Sequence, residues 1–260
     1  MLNFFKRRQL ISDENFLLQI ESYKWLLKNF GANEFCEETT LVLPTEDFFP
    51  ESINSPEEAA KITFKYVKKY AGMENWPCDL HAQEPDPDRK LAPTVLIQGG
   101  DQSPLGTFSA KNPKKIAITY NPAIVSDPFQ LVATFAHELA HYLTGTCQEP
   151  PPGGWENWEF ITDIAAVFMG FGIFMANSAF KLKQFSDDEF HGWRTSKSGY
   201  LTESEISFSV AIFLKLKKID QKDVYPYLGT NVKAYVKKAL KELNESQSFQ
   251  ELIKVECSRS

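Results

Sequence analysis

The chain has 260 residues, of which 43% are hydrophobic and 24% charged, and it carries a formal net charge of -6. This is a globular composition, long enough for one large domain or two small ones. The mild acidic balance argues against nucleic acid or an anionic membrane as a partner, since both select clustered positive charge.

The opening "MLNFFKRRQLISDENF" has basic residues but no apolar run of signal-peptide length behind them. The four cysteines, Cys36, Cys78, Cys147 and Cys257, are widely spread and form no C-x-x-C pair. Both features predict a cytoplasmic chain with reduced thiols. The first helix is expected over 13–30, where Phe16, Ile20, Tyr23, Leu27 and Phe30 recur at helical spacing and Gly31 supplies a stop. A second begins at "SPEE", with Ser55 as N-cap, Pro56 at the first helical position and Glu58 completing a capping box, and runs to about residue 71.

The stretch 78–93 holds three prolines and mixed charges and reads as a loop. Past it the period changes. "TVLIQ" (94–98), "LGTFSA" (105–110) and "KIAITY" (115–120) are short and mostly rich in β-branched residues, with Gly99-Gly100 and Asn112-Pro113 as turns. They predict a small sheet of about three strands. A helix follows from Pro128, capped by Asp127, to about residue 143. "TGTCQEPPPGGW" must interrupt it. The next helix is expected over 156–180, and further ones from the Thr202–Glu205 capping box to about 218, over 230–244 and over 248–255.

The segment 164–180, "IAAVFMGFGIFMANSAF", is almost continuously apolar. It barely reaches the roughly 17 to 25 residues a membrane span requires. It also contains Asn177 and Ser178 and follows the acidic "WENWEFITD", so it is expected to be a buried core helix rather than a membrane segment. Gly170 and Gly172 would let neighbouring chain approach it closely.

The chemistry concentrates in "ATFAHELAHYLTGTC", residues 133–147, which holds two of the four histidines. On a helix, His137 and His141 share one face, with Cβ atoms about 5 to 6 Å apart, and can aim both imidazoles at one metal ion. Zinc suits two imidazoles and an oxygen ligand with a fourth position left for water. Glu138 lies about 100° around the helix, beside that water rather than on the metal, as a general base requires. The alternative is a helix whose histidines are satisfied by hydrogen bonds alone. Its flanks are apolar, however, and two imidazoles with a carboxylate are costly to bury without a partner.

The third ligand has more than one reading. Glu159 and Asp163 in "ENWEFITDIAA" are four apart and share a helix face. Glu159 would bind the metal while Asp163 holds the other ring nitrogen of His137. Glu156 or Asp163 could instead take the ligand position. So could Cys147, six residues after His141, at the offset of the third ligand in H-E-x-x-H-x-x-G-x-x-H. Thr144 stands where that pattern has glycine and Cys147 where it has histidine, so the preferred reading is Glu159.

"HELAH" followed by "EFITDIAA" resembles the gluzincin metallopeptidases, in which a helix bearing H-E-x-x-H is followed by one bearing E-x-x-x-D. The resemblance covers about 128–170 and the preceding strand. It implies His137, His141 and Glu159 as ligands of one zinc ion, Glu138 as general base and Asp163 as the orienting carboxylate. The compact minigluzincins place a short sheet before the active-site helix, so "KIAITYNP" would be the edge strand along which an extended peptide pairs. Gluzincins also use a histidine or tyrosine from a later segment on the oxyanion, and "EFHGWRTSKSGYL" offers His191 and Tyr200.

The expectation is a mostly helical α+β, zincin-like single domain. It divides into an N-terminal helical region (1–90), a metal-binding core (91–182) and a C-terminal helical region (183–260). Its expected activity is zinc-dependent hydrolysis of peptide bonds in a peptide or protein substrate, with neither nucleic acid nor membrane as partner. The rival reading is a non-catalytic zinc module that regulates or binds a partner; it would have no need of a base at Glu138.

Overall fold

The computed structural model describes residues 9–52, 55–83, 116–187 and 201–257. It is mostly helical, with a small parallel sheet, as the pattern of elements predicted. Helix α1 is Asp13–Phe30, capped by the Ser12 hydroxyl, which accepts from Asn15 N, and ended by Gly31 at φ 88°. A short α2, Ala32–Glu37, follows at once; no periodic signal marks so brief a helix in the sequence. Helix α3, Pro56–Tyr70, has Ser55 accepting from Glu58 N and proline in its first turn.

The sheet departs from expectation. Strand β1, Cys78–Ala82, lies in the stretch read as loop, and it pairs in parallel with β2, Ile116–Tyr120, in the register Cys78↔Ile116 to Ala82↔Tyr120. The prolines that suggested a loop begin just after β1 ends. A parallel partner far along the chain leaves no local trace in the sequence. The strands expected at 94–98 and 105–110 fall outside the described residues. β2 buries every second residue, Ile116, Ile118 and Tyr120, on one face.

Helix α4, Pro128–Thr144, starts at Asp127, whose carboxylate accepts from Gln130 N. It is the hub of the core. The Phe135 ring of α4 meets Phe64 of α3 edge-on at 5.2 Å and Tyr120 of β2 at 6.0 Å. These contacts set the sheet and the second long helix against the back of α4, leaving its histidine face for the elements that follow.

Those elements are α5, Trp158–Ala166, and α6, Gly172–Asp187, with a π-helical turn, Val167–Phe171, between them. The sequence predicted one continuous helix here. The break falls at Gly170, which takes φ 99° and turns its carbonyl out to accept from Val42 N at 2.9 Å. A Cβ on Gly170 would meet Thr40 O at 2.1 Å. Left-handed backbone costs a residue with a Cβ about 1 to 2 kcal/mol. Gly170→Ala is therefore expected to lower unfolding stability by at least about 2 kcal/mol. Urea denaturation would read this as a lower midpoint at unchanged slope; wild-type stability would show that the crossing tolerates a side chain. Gly172 sits just beyond the break, where a Cβ would press on Val210 at 2.9 Å.

Helix α7, Glu203–Leu216, packs on this broken helix. Both halves of the predicted capping box at Thr202 and Glu205 form. Helices α8 (Gln221–Val224), α9 (Thr230–Asn244) and α10 (Gln247–Cys257) complete the chain, α9 against α7 and α10 against α1. The long helical run Trp155–Ala179 is apolar enough by composition to cross a membrane, yet 89% of its most apolar window is buried inside the protein. It occupies the core position its apolar surface requires.

Candidate metal centre

Helices α4 and α5 pack side by side, and the site lies in their seam. One turn of α4 brings the His137 and His141 rings to 4.6 Å between centroids. From α5, Glu159 Oε2 reaches to 3.4 Å from His137 Nε2 and 3.2 Å from His141 Nε2. One ligand atom from each of these three side chains lies within 4.8 Å of the others, a group able to hold a metal ion.

Hydrogen bonds behind the rings decide which nitrogen faces the centre. His137 Nδ1 is 2.9 Å from Asp163 Oδ1, a carboxylate that can only accept, so Nδ1 carries the proton. His141 Nδ1 is 3.1 Å from the Thr162 hydroxyl. That hydroxyl donates its one proton to Trp158 O at 2.9 Å, so it accepts from His141. Both Nε2 lone pairs therefore point at the Glu159 oxygen. Three acceptors facing one another repel unless a cation lies among them.

Glu159 Oε2 is buried and, among the described residues, has no hydrogen-bond partner. A buried carboxylate oxygen left unpaired is costly, and a metal ion would relieve it. Burial alone would raise the Glu159 carboxyl, but the His137 and His141 imidazoles outweigh it and hold the group well below the usual carboxylate range. Burial would likewise depress His137; the hydrogen bond it donates to Asp163 and the nearby Glu159 carboxylate, with the Asp163 and Glu138 charges, raise it well above its ordinary value instead. The seam thus demands positive charge, from a proton or from a metal.

Glu138 points into the same buried setting, with 5% of its surface exposed. Burial pushes its carboxyl up to about 7, against the pull of His141 and His137 and with a push from Glu159. A dication nearby would draw it back down.

Of the residues singled out in the sequence, the structure brings together His137, Glu138, His141, Glu159 and Asp163. His191 and Tyr200 lie outside the described residues. Cys147, the alternative ligand, is not in the cluster; burial pushes its thiol up to about 11, so it is no thiolate at neutral pH. Thr144, where the extended motif has glycine, ends α4 and accepts the Trp158 indole N–H at 3.0 Å.

Thr162 is the functional residue that sequence reasoning missed. It stands between the ligand and the orienting carboxylate in "EFITD", three residues after Glu159, and that spacing on the site face could have drawn attention to it. Thr162→Val keeps the shape and removes the acceptor, so metal affinity should fall by about 10-fold, while Thr162→Ser holds it. Asp163 serves two donors, His137 Nδ1 and, at 2.8 Å, Leu201 N. Asparagine has one acceptor oxygen for both. Asp163→Asn should weaken binding by about 10- to 100-fold. Titration against a chromophoric chelator measures all three; unchanged affinity in Thr162→Val would remove the residue from the site.

The chain matches no protein-family model, no curated protein and no solved structure.

Proposed function

We propose that the protein is a zinc-dependent peptidase of gluzincin type, acting in the cytoplasm on a peptide or protein substrate. The observation that carries this reading is Glu138: a buried carboxylate beside the two imidazoles that is not itself one of the three ligands. A site that only holds a metal has no need of a base that is not a ligand beside it. Zinc is the metal of choice for two imidazoles and a carboxylate. Ligand atoms around a tetrahedral zinc lie about 3.3 to 3.6 Å apart, given bonds of about 2.0 to 2.2 Å; the two His–Glu separations are 3.4 and 3.2 Å.

His137, His141 and Glu159 would hold the ion. When bound, zinc acts as a Lewis acid on the scissile carbonyl and brings the pKa of a water towards about 7. Glu138 takes a proton from the attacking water as its oxygen bonds to the carbonyl carbon. It delivers that proton to the amide nitrogen as the C–N bond breaks, giving a carboxylic acid and a free amine. Asp163 and Thr162 keep both rings in the one tautomer that turns Nε2 inward. By the resemblance to gluzincins, His191 or Tyr200 would steady the oxyanion.

The test is metal analysis of purified protein together with cleavage of a peptide library by wild type and Glu138→Gln. About one zinc per chain, and cleavage that needs Glu138, are expected. Protein that cannot be loaded with zinc refutes the metal reading. Zinc-loaded wild type whose function survives Glu138→Gln makes the site a non-catalytic module.

A further inference from the structure

One flank of the candidate centre is more exposed than the other, and a tryptophan pair lies beside it. Side-chain exposure rises from 7% at His137 through 19% at His141 to 43% at Glu159, whose Oε2 is nonetheless buried, so the more open flank of the cluster is the His141–Glu159 side. Trp158 sits there. It precedes Glu159 in the chain, and its ring centroid is 6.1 Å from that of His141. Its indole N–H is fixed by Thr144 Oγ1 at 3.0 Å, and that hydroxyl is fixed in turn by donating to Ala140 O at 2.8 Å. Trp155 lies against Trp158 with ring centroids 4.9 Å apart and planes tilted by 49°.

Trp155 is 37% exposed, one of two large apolar side chains that the described residues leave open to solvent. It is carried on a 3-10 turn, Trp155–Asn157, directly after Gly153 and Gly154, whose φ values of 78° and 85° turn the chain into α5. An exposed indole that leads to the candidate site through a second indole, itself hydrogen-bonded to the helix that carries both histidines, is a preformed surface for a flat apolar group. No cation stacks on it among the described residues.

We infer that Trp155 and Trp158 form the subsite for an aromatic substrate side chain next to the scissile bond, making Trp155 a specificity-determining residue. The inference rests on the peptidase reading, because it takes the metal to be the reacting centre. Its occupant is aromatic because an offset or edge-on ring gains from an indole face beyond simple area burial. Trp158 sets the floor, and Trp155 supplies the exposed wall.

The experiment measures binding, not turnover. Zinc-loaded protein is titrated with acetohydroxamate, which offers only the metal-binding group, and with 3-phenylpropanohydroxamate, which adds a phenyl ring. The wild type should bind the aromatic compound at least about 10-fold tighter. In Trp155→Ala the advantage should shrink to within about 3-fold, with acetohydroxamate binding and zinc content held, and Trp155→Phe should restore most of it. Trp155→Leu keeps apolar bulk without a ring; it should also lose the advantage, and it serves if the alanine variant does not fold. An undiminished advantage in both Trp155→Ala and Trp155→Leu, or none in wild type, overturns the subsite. A change of oligomeric state in Trp155→Ala with the advantage intact would assign the ring to contact with a second copy. Failure of both hydroxamates to bind zinc-loaded wild type strikes the peptidase reading itself, and the subsite falls with it.

Discussion

Glu138→Gln should keep the zinc and the fold and lose turnover by at least about 100-fold, and by as much as about 10⁴-fold. Glutamine has nearly the shape of glutamate, and removing one negative charge from a crowded acidic seam relieves repulsion, so melting temperature should hold or rise. The metal should stay because the Glu138 carboxyl is not among the three clustered ligand atoms. What is lost is the acceptor for the water's proton. Glu138→Gln is therefore a cleaner probe than a ligand mutant, which removes metal and chemistry together. The measurement compares wild type, Glu138→Gln and His137→Ala in one assay, with zinc content and melting temperature alongside. If Glu138→Gln tracks wild type there, the peptidase reading is wrong and the zinc site is scaffolding.

Glu159→Ala should lower metal affinity by more than about 100-fold, beyond what changes behind the ligands produce. Cys147→Ala should leave it unchanged. The contrast follows from the seam. Glu159 Oε2 lies close to both Nε2 nitrogens, at 3.4 and 3.2 Å, and among the described residues it has no hydrogen-bond partner. Without it two imidazoles remain, too few to hold zinc well. The apo fold should persist, because Glu159 sits in the first turn of α5 and its side chain is partly open to solvent. Competition with a chromophoric chelator gives the affinities, and circular dichroism checks the helices. Retention of metal in Glu159→Ala with loss in Cys147→Ala would reverse the ligand assignment.

The candidate site was legible in the sequence because its geometry is local to two helices. The four-residue spacings of His137 to His141 and of Glu159 to Asp163 each put a pair on one face, whatever the rest of the chain does. Only the packing of α4 on α5 had to be supplied by the fold, and the resemblance to gluzincins anticipated it. Thr162 was not legible, since its role appears only once His141 lies beside it. The caps at Ser55, Asp127 and Thr202 were readable, because a cap is a contact across three residues. Strand β1 depends on pairing with a distant segment, and nothing within "CDLHA" specifies that partner. The break at Gly170 likewise comes from outside: Val42 N and the Thr40 carbonyl press on a stretch whose own composition reads as unbroken helix.

The two oxygens of Asp163 face different parts of the molecule. One holds the ring of His137, and the other holds the amide of Leu201, just before the capping box that starts α7. Since α7 packs on both α6 and α9, whatever steadies that carboxylate also steadies the C-terminal helices. An ion bound at His137 favours the orientation of the ring, the ring favours the carboxylate, and the carboxylate favours the register of α7. A ligand that binds only the native state adds to its stability in proportion to the logarithm of its concentration over its dissociation constant. Through Asp163 that gain reaches helices far from the seam. On the proposed reading an ion held there would be a rivet for the molecule as well as a reagent, and a chelator would be expected to loosen the C-terminal half along with any chemistry at the site.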